Sequence, residues 1–439
     1  MNTALQASVA SAWRLVLCQA VFLGLLALAA PALAVTPTID IYGPSQGQMN
    51  IALAQPLGGT GASPAPPEGQ TLQNLISQNL SILPFLKVLP GSHIPGGDRL
   101  AGYKAEEIDF KRFQLAGCDL LLTAGWPEGN RTVELRVYQA FTNNLILGKA
   151  YSDLAADRLP SVADKFCQEL MEALTGHGEF FRSTLAFARP TGKNKADIFT
   201  IKPTGRELRQ VTSLNGICMS PTWSPDGRYI AFTYLTDRNH LLGLADLSSG
   251  KISTTKFPGN AVVSPRFRPD GRIVVSLNFA GNHDIVLLGS NLKMESKLVA
   301  SNAIDVQPTF DRSGGKMAYV SDRLGGPQVF IGDSRVSQSG SYNTDPSLSP
   351  DGDLLAYCRR TGEGFRIVVQ DLARGVENQI STGPGNDEQP AFAPDGFFVA
   401  FTSSRAGGER LWLTTRHGAP AVQLPINGQG SYAAWHLGK

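Results

Sequence analysis

Ser220-Pro-Thr-Trp-Ser-Pro-Asp-Gly227 is the stretch on which the fold turns, because it returns along the chain. It recurs as Ser264-Pro-Arg-Phe-Arg-Pro-Asp-Gly271, Gln307-Pro-Thr-Phe-Asp-Arg-Ser-Gly314, Asp345-Pro-Ser-Leu-Ser-Pro-Asp-Gly352 and Gln389-Pro-Ala-Phe-Ala-Pro-Asp-Gly396. The leading prolines, Pro221, Pro265, Pro308, Pro346 and Pro390, stand 44, 43, 38 and 44 residues apart. A worn sixth copy, Ser431-Tyr-Ala-Ala-Trp435, has Ala433 in the proline place 43 residues further on. Proline fixes φ and glycine accepts positive φ, so Pro-Asp-Gly sets a tight turn. An apolar strand follows each turn: Ile230-Ala-Phe232, Ile273-Val-Val275, Met317-Ala-Tyr319, Leu355-Ala-Tyr357 and Val399-Ala-Phe401. Turn and strands form a hairpin, and two further strands fit within each period. Four antiparallel strands in roughly 40–50 residues make one blade of a β-propeller. A blade cannot bury its faces alone, so the repeats must pack against one another.

The ends of the repeat region complement each other. Leu185-Ala-Phe187, residues 198–202 and residues 208–212 match the later three strands of a repeat and lack the first. Residues 433–435 have that first strand and lack the rest. Together they predict an all-β six-bladed propeller over residues 181–439, closed by the C-terminal strand. In front of it, residues 35–180 alternate strand and helix signals and predict a small N-terminal α/β domain. Strands are expected at 38–42, 50–54, 85–89, 119–123 and 132–138, and a helix around Leu72, Leu75 and Ile76. Ser161 is read as the cap of a second helix, whose Val162, Phe166, Leu170 and Leu174 share a face and which Gly176 stops.

Composition narrows the function. The 439 residues carry 39 Lys+Arg against 37 Asp+Glu, and 42% are hydrophobic. Near-neutral charge argues against nucleic acid as a partner, and the apolar share argues against a disordered chain. Arg14, an apolar run at 15–30 and Ala32-Leu33-Ala34 read as an export signal, cleaved after residue 34. No other run is apolar enough to span a membrane. The spacing of Cys118, Cys167, Cys218 and Cys358 suggests neither zinc nor a redox motif. Of these, Cys118 and Cys167 fall in one domain and could pair.

No catalytic constellation is found, so no enzyme, no cofactor and no metal site is expected. His93, His177, His240, His283, His417 and His436 form no i, i+4 pair, and there is no H-E-x-x-H or G-x-S-x-G. Asp226, Asp270, Asp351 and Asp395 occupy the turns, which is a structural place. Trp223, Phe267, Phe310, Phe392 and Trp435 recur once per blade and are read as core packing. The loops that enter the innermost strands converge on one mouth of the channel and are the natural binding surface.

The S-P-x-W-S-P-D-G repeats, with Ser321-Asp-Arg-Leu-Gly-Gly-Pro-Gln-Val-Phe330, resemble the TolB family, the periplasmic propeller proteins of the Tol–Pal system. The front half agrees in order: Ile39-Asp-Ile-Tyr-Gly43, Asn50-Ile-Ala-Leu-Ala54, Ala116-Gly-Cys-Asp-Leu-Leu-Leu-Thr-Ala-Gly125, Val162-Ala-Asp164 and Leu174-Thr-Gly176. The third repeat departs from the pattern, with Asp311-Arg-Ser-Gly314 in place of S-P-D-G and a short blade after it. The resemblance implies a monomeric, non-enzymatic adaptor in the periplasm that supports outer-membrane integrity and cell division. It implies that the mouth binds the Pal lipoprotein, with Ala261, Val262, Val263, Val306 and Gln307 as contacts. Repeat symmetry adds Asn343, Thr344, Asp345, Asn386, Asp387 and Glu388. It further implies that Val35-Thr36-Pro37-Thr38-Ile39-Asp40-Ile41-Tyr42-Gly43 binds TolA, and that other envelope proteins join as partners. The alternative is a periplasmic propeller hydrolase or glycan-binding module, for which Asp387 and Glu388 would be the acids to mutate.

Overall fold

The computed structural model describes residues 47–59, 63–127, 132–259, 261–279 and 281–438. The expected export signal, the strand at 38–42 and the segment Val35 to Gly43 lie outside the described residues. Among those described, no helix is long and apolar enough to cross a membrane.

The first sheet is mixed. Met49–Leu53 lies between Leu86–Leu89 and Leu120–Trp126, all parallel. Thr132–Gln139 and Leu145–Ser152 then extend the sheet antiparallel. Helix α1 (Pro67–Ser81) packs on helix α3 (Leu159–Thr175), while the short α2 (Phe110–Leu115) precedes the central strand. The strand at 145–152 and α2 were not expected from the sequence. The first has only Leu147 and Tyr151 buried, too sparse for a clear period, and the second spans less than two turns. Ser161 does not cap α3. The helix begins at Leu159, and the Ser161 hydroxyl donates to the Arg158 carbonyl at 2.8 Å. Pro160 in the first turn explains the earlier start, since its missing N–H is of no cost there. Gly176 ends the helix with φ 75°, as expected.

From Ser183 onward the chain is β-structure. The second to fifth repeats each form a separate four-stranded antiparallel sheet, opening with Val262–Phe267, Asp305–Phe310, Asn343–Leu348 and Asp387–Phe392. The first repeat opens with Ile217–Trp223 and joins an eight-stranded sheet. That sheet also holds Ser183–Gly192, Lys195–Ile201 and the C-terminal Ser431–Leu437, which pairs antiparallel with Ser183–Gly192. A single parallel residue pair, Ile217 with Ala196, links its two halves. The outer strands of the third repeat are short: Gln328–Ile331 and Ser334–Arg335.

The second strand of each repeat is buried on both faces. Ile230, Ala231 and Phe232, like Val399, Ala400 and Phe401, are all 0% exposed. A sheet sandwiched between neighbours loses the apolar–polar alternation of a half-exposed strand. Neighbouring repeats are also tied by polar bonds. The amides of Phe267, Leu348 and Phe392 donate to the hydroxyls of Thr222, Thr309 and Ser347 in the preceding repeats. Where the preceding repeat has alanine at that place, the tryptophan indole makes the bond instead. Trp435 Nε1 donates to the Ala391 carbonyl at 3.2 Å and Trp223 Nε1 to the Ala434 carbonyl at 3.1 Å.

The α/β region packs on the side of the Pro-Asp-Gly turns. Phe85 stacks on Phe398 and meets Phe397 edge-on, and Phe180 lies 4.6 Å from Phe398. Arg206 pairs with Asp164 and donates to Asn79. The four cysteines among the described residues, Cys118 and Cys167 included, are free and buried.

Candidate functional site

Each innermost strand carries an irregularity before its proline. The register slips between Met219 and Thr222, Val263 and Arg266, Val306 and Thr309, Thr344 and Ser347, Glu388 and Ala391, and Ser431 and Ala434. The residue at the slip is left-handed each time: Ser220, Ser264, Gln307, Asp345, Gln389 and Tyr432 have φ between 51° and 57°. One extra residue in a strand forms a bulge, and such backbone re-aims the side chain. Here the bulged residues line a narrow cavity of about 40 Å³ in the channel, together with Arg266.

This ring is laced by its own side chains. Gln307 Nε2 donates to Asp345 Oδ1 at 2.7 Å, and the Asp345 amide donates back to Gln307 Oε1 at 2.9 Å. Gln389 Oε1 accepts from the Thr402 hydroxyl and the Tyr432 amide. Burial pushes the Asp345 carboxyl above the usual carboxylate range, against the pull of Thr344, Arg266 and Gln307. Burial likewise raises Glu388, assisted by the charges of Asp345, Glu409 and Asp387. A visitor at the mouth therefore meets a constriction, not an open pipe.

The structure divides the eleven expected mouth residues into two sets. Val262, Asn343 and Asp387 are at most 1% exposed. They stand three places before their prolines, and the strand alternation turns them inward. Asp387 receives two bonds of 2.7 Å from Arg405 Nη2. Asn343 accepts from Arg359 at 3.2 Å and donates to Gln328 and the Ser339 carbonyl. Ala261, Val263, Val306, Gln307, Thr344, Asp345, Asn386 and Glu388 are half-buried. Of these, Gln307 and Asp345 belong to the ring, and Asn386 accepts the Phe365 amide at 3.2 Å. With Asp387 spent on Arg405, the acid pair that a hydrolase would need there loses one member.

The residues that hold the mouth were not singled out from the sequence. Arg323 donates to Asp305 at 3.2 Å and to the Ser321 hydroxyl at 2.9 Å, with its guanidinium 4.7 Å above the Phe330 ring. Arg405 repeats the arrangement with Asp387, Ser403 and the Trp412 ring. Arg359 bridges Asn343, Tyr357 and Glu377. The buried Arg366 donates 2.7 Å bonds to the carbonyls of Gly383 and Gly385, which fixes the loop before Asp387. A planar guanidinium with five donors suits such bidentate and carbonyl clasps. A serine two places before the arginine, in Ser321-Asp-Arg323 and Ser403-Ser-Arg405, was the signal, but the acidic partner lies 18 residues away in each.

The aromatic row lies on the other side of the ring. Trp223, Phe267, Phe310, Phe392 and Trp435 line a cavity of about 520 Å³ toward the turns. Core packing covers only part of their surface: Phe392 is buried, and the other four are half-buried.

Stacked antiparallel sheets with laced inner strands, and a mouth framed by clasped loops, define a propeller-type scaffold. Comparison with known proteins gives the family. The description "TolB beta propeller domain" matches residues 171–438, and the chain belongs to that family. It is 50% identical to the Tol-Pal system protein TolB of Nitratidesulfovibrio vulgaris over 291 residues, 66% of each chain. It is 34% identical to the protein TolB homolog of Chlorobium luteolum over 211 residues, 48% of each chain. The matched part thus spans between about half and two thirds of these relatives' length. The crystal structure of TolB from Acinetobacter baumannii shares the fold with a TM-score of 0.71 at 21% identity, covering 91% of this chain and 98% of that one.

Proposed function

We propose that this chain is a non-enzymatic periplasmic adaptor of the Tol–Pal type. In this reading the eight-stranded sheet is two blades, the propeller has six, and the C-terminal strand closes it. Residues 35–180 and 181–439 act as separate domains after loss of 1–34. The mouth receives the Pal lipoprotein, Val35 to Gly43 engages TolA, and the whole supports outer-membrane integrity and division. The single observation that carries this is the clasped mouth: Arg323, Arg359, Arg366 and Arg405 spend their donors on holding rim strands and loops in place. A rigid rim loses little conformational entropy on docking a partner. The contact set then narrows to Ala261, Val263, Val306, Thr344, Asn386 and Glu388, with Gln307 and Asp345 at the floor.

Calorimetry with the soluble domain of Pal tests the reading. The intact chain should bind, and Val306→Arg or Thr344→Arg should weaken binding by about tenfold or more. Absence of binding, or binding indifferent to both changes, would refute it. Recovery of glycan alone from an envelope extract would favour the hydrolase or glycan-module alternative.

A further inference from the structure

The turn-side cavity departs from the repeat in one chemical respect. The place after the leading proline holds Thr222, Arg266, Thr309, Ser347, Ala391 and Ala434 in successive copies. Two places on stand Ser224, Arg268, Asp311, Ser349, Ala393 and His436. One place further stand Pro225, Pro269, Arg312, Pro350, Pro394 and Leu437. Small residues or proline fill most of these places. The exceptions include three arginines, all from the adjacent second and third repeats, and all three line the same cavity of about 520 Å³.

Within the lining three guanidiniums stand against one carboxylate, while Asp270 pairs with Arg268 and Asp345 faces Arg266 from outside it. Asp311 is the carboxylate of the lining, and it already accepts from the Ser313 hydroxyl and the Lys316 amide. Arg268 reaches Asp270 at 3.2 Å and lies 5.6 Å over the Phe310 ring. Arg312 Nη2 donates to the Pro394 carbonyl at 2.6 Å, and Arg266 Nη1 to the Pro265 carbonyl at 3.2 Å. Each guanidinium carries five N–H donors, so these bonds leave capacity for a further acceptor. The half-buried faces of Trp223, Phe267, Phe310 and Trp435 supply flat apolar walls. Their indole N–H groups are spent on carbonyls across the sheets, so the rings can offer the ligand only their faces and edges. The volume falls within the range of small-molecule sites, which pair apolar walls with a few placed polar groups.

We propose that this cavity binds a small organic anion, a carboxylate or phosphate group on a flat apolar body. Its charged end meets Arg268 and Arg312, with Arg266 at the floor, and its body lies against the aromatic row. The site stands on the opposite side of the ring from the rim assigned to Pal, and it does not depend on that assignment.

Titration of the full mature chain with benzoate, phenyl phosphate and benzamide, followed by calorimetry and tryptophan fluorescence, tests the site. At least one of the two anions should bind saturably, and neutral benzamide at least about tenfold more weakly. The tighter of the two anions identifies the headgroup. Arg268→Gln and Arg312→Gln should each weaken that anion by about tenfold while each variant without ligand still unfolds in a cooperative transition. Both are turn-side positions, which spares the ring that Arg266 helps to form. The proposal falls if neither anion saturates, if benzamide binds as well as the anions, or if folded variants bind undiminished.

Discussion

Asp395 shows how one substituted neighbour changes a repeated residue. In the first turn the Ser224 hydroxyl donates to Asp226 at 2.6 Å, and in the fourth Ser349 serves Asp351 in the same way. The fifth turn has Ala393 in that place. Asp395 Oδ1 accepts the amides of Phe397 and Phe398, but Oδ2 has no hydrogen-bond partner among the described residues. Burial pushes this carboxyl up to about 6, with Glu179 adding to the rise and the two amides and Arg416 opposing it. A raised folded-state pKa means that the folded protein holds the proton more tightly than the unfolded chain. The contribution of Asp395 to stability is therefore greatest below about pH 4 and is lost as pH rises through about 6. Nearby His417, lowered to about 4 by burial, works in the opposite direction, losing stability as pH falls from its ordinary value through about 4. The effect of Asp395 must then be read as a difference. Urea denaturation of Asp395→Asn and the parent at pH 4.5 and pH 7.5 should show the variant gaining on the order of 2 kcal/mol relative to the parent at the higher pH. Parallel pH profiles would show that the folded protein holds no extra proton on Asp395. The turn role of this aspartate was readable from Pro-Asp-Gly, but its burial was not, because Phe85, His177 and Phe180, which pack on the neighbouring Phe397 and Phe398, come from another part of the chain.

At the scale of the element, the inner hairpin is held by an acid on one strand and an arginine beyond the next. Asp387 is 0% exposed and Arg405 is its bidentate partner. Removing one member strands a buried charge, which costs about 3–5 kcal/mol, whereas replacing both by apolar groups of similar size costs much less. Arg405→Ala should accordingly destabilise by that amount in chemical denaturation, and Asp387→Leu with Arg405→Met should recover most of the loss. A double variant as unstable as the single one would show that the clasp acts through packing alone. The sequence displayed the hairpins, their turns and the S-x-R spacing. It also misplaced Asp387, Asn343 and Val262 at the partner surface, because a bulge reverses which residues of a strand face inward and no residue type announces a left-handed serine, glutamine or tyrosine.

For the whole molecule, the C-terminal strand is bonded on both sides. Ser431–Leu437 pairs with Ser183–Gly192, Trp435 donates to the Ala391 carbonyl, and the Ala434 carbonyl accepts from Trp223. If this strand closes the ring, ending the chain at Gly430 exposes two sheet flanks at once, each lined by buried apolar residues such as Ala186 and Phe398. Scanning calorimetry should then show residues 181–430 melting without the cooperative transition that the same region has in the full chain, while Trp435→Phe, which keeps the strand and loses one hydrogen bond, should cost only about 1 kcal/mol. A truncated chain that melts like the parent would mean that the last strand is an ornament of the sheet and not its closure.

The period of the repeat, the turn in each copy, the apolar second strand and the family likeness were all written in the order of residues, because they depend on local backbone preference and on burial patterns that recur. The lacing of the channel, the inward turn of three expected contacts, the clasps on the mouth and the gathering of three arginines at its far end were settled only in three dimensions. Those features join residues from different repeats, and what each side chain meets is decided by how adjacent sheets stack, which no single stretch of sequence carries.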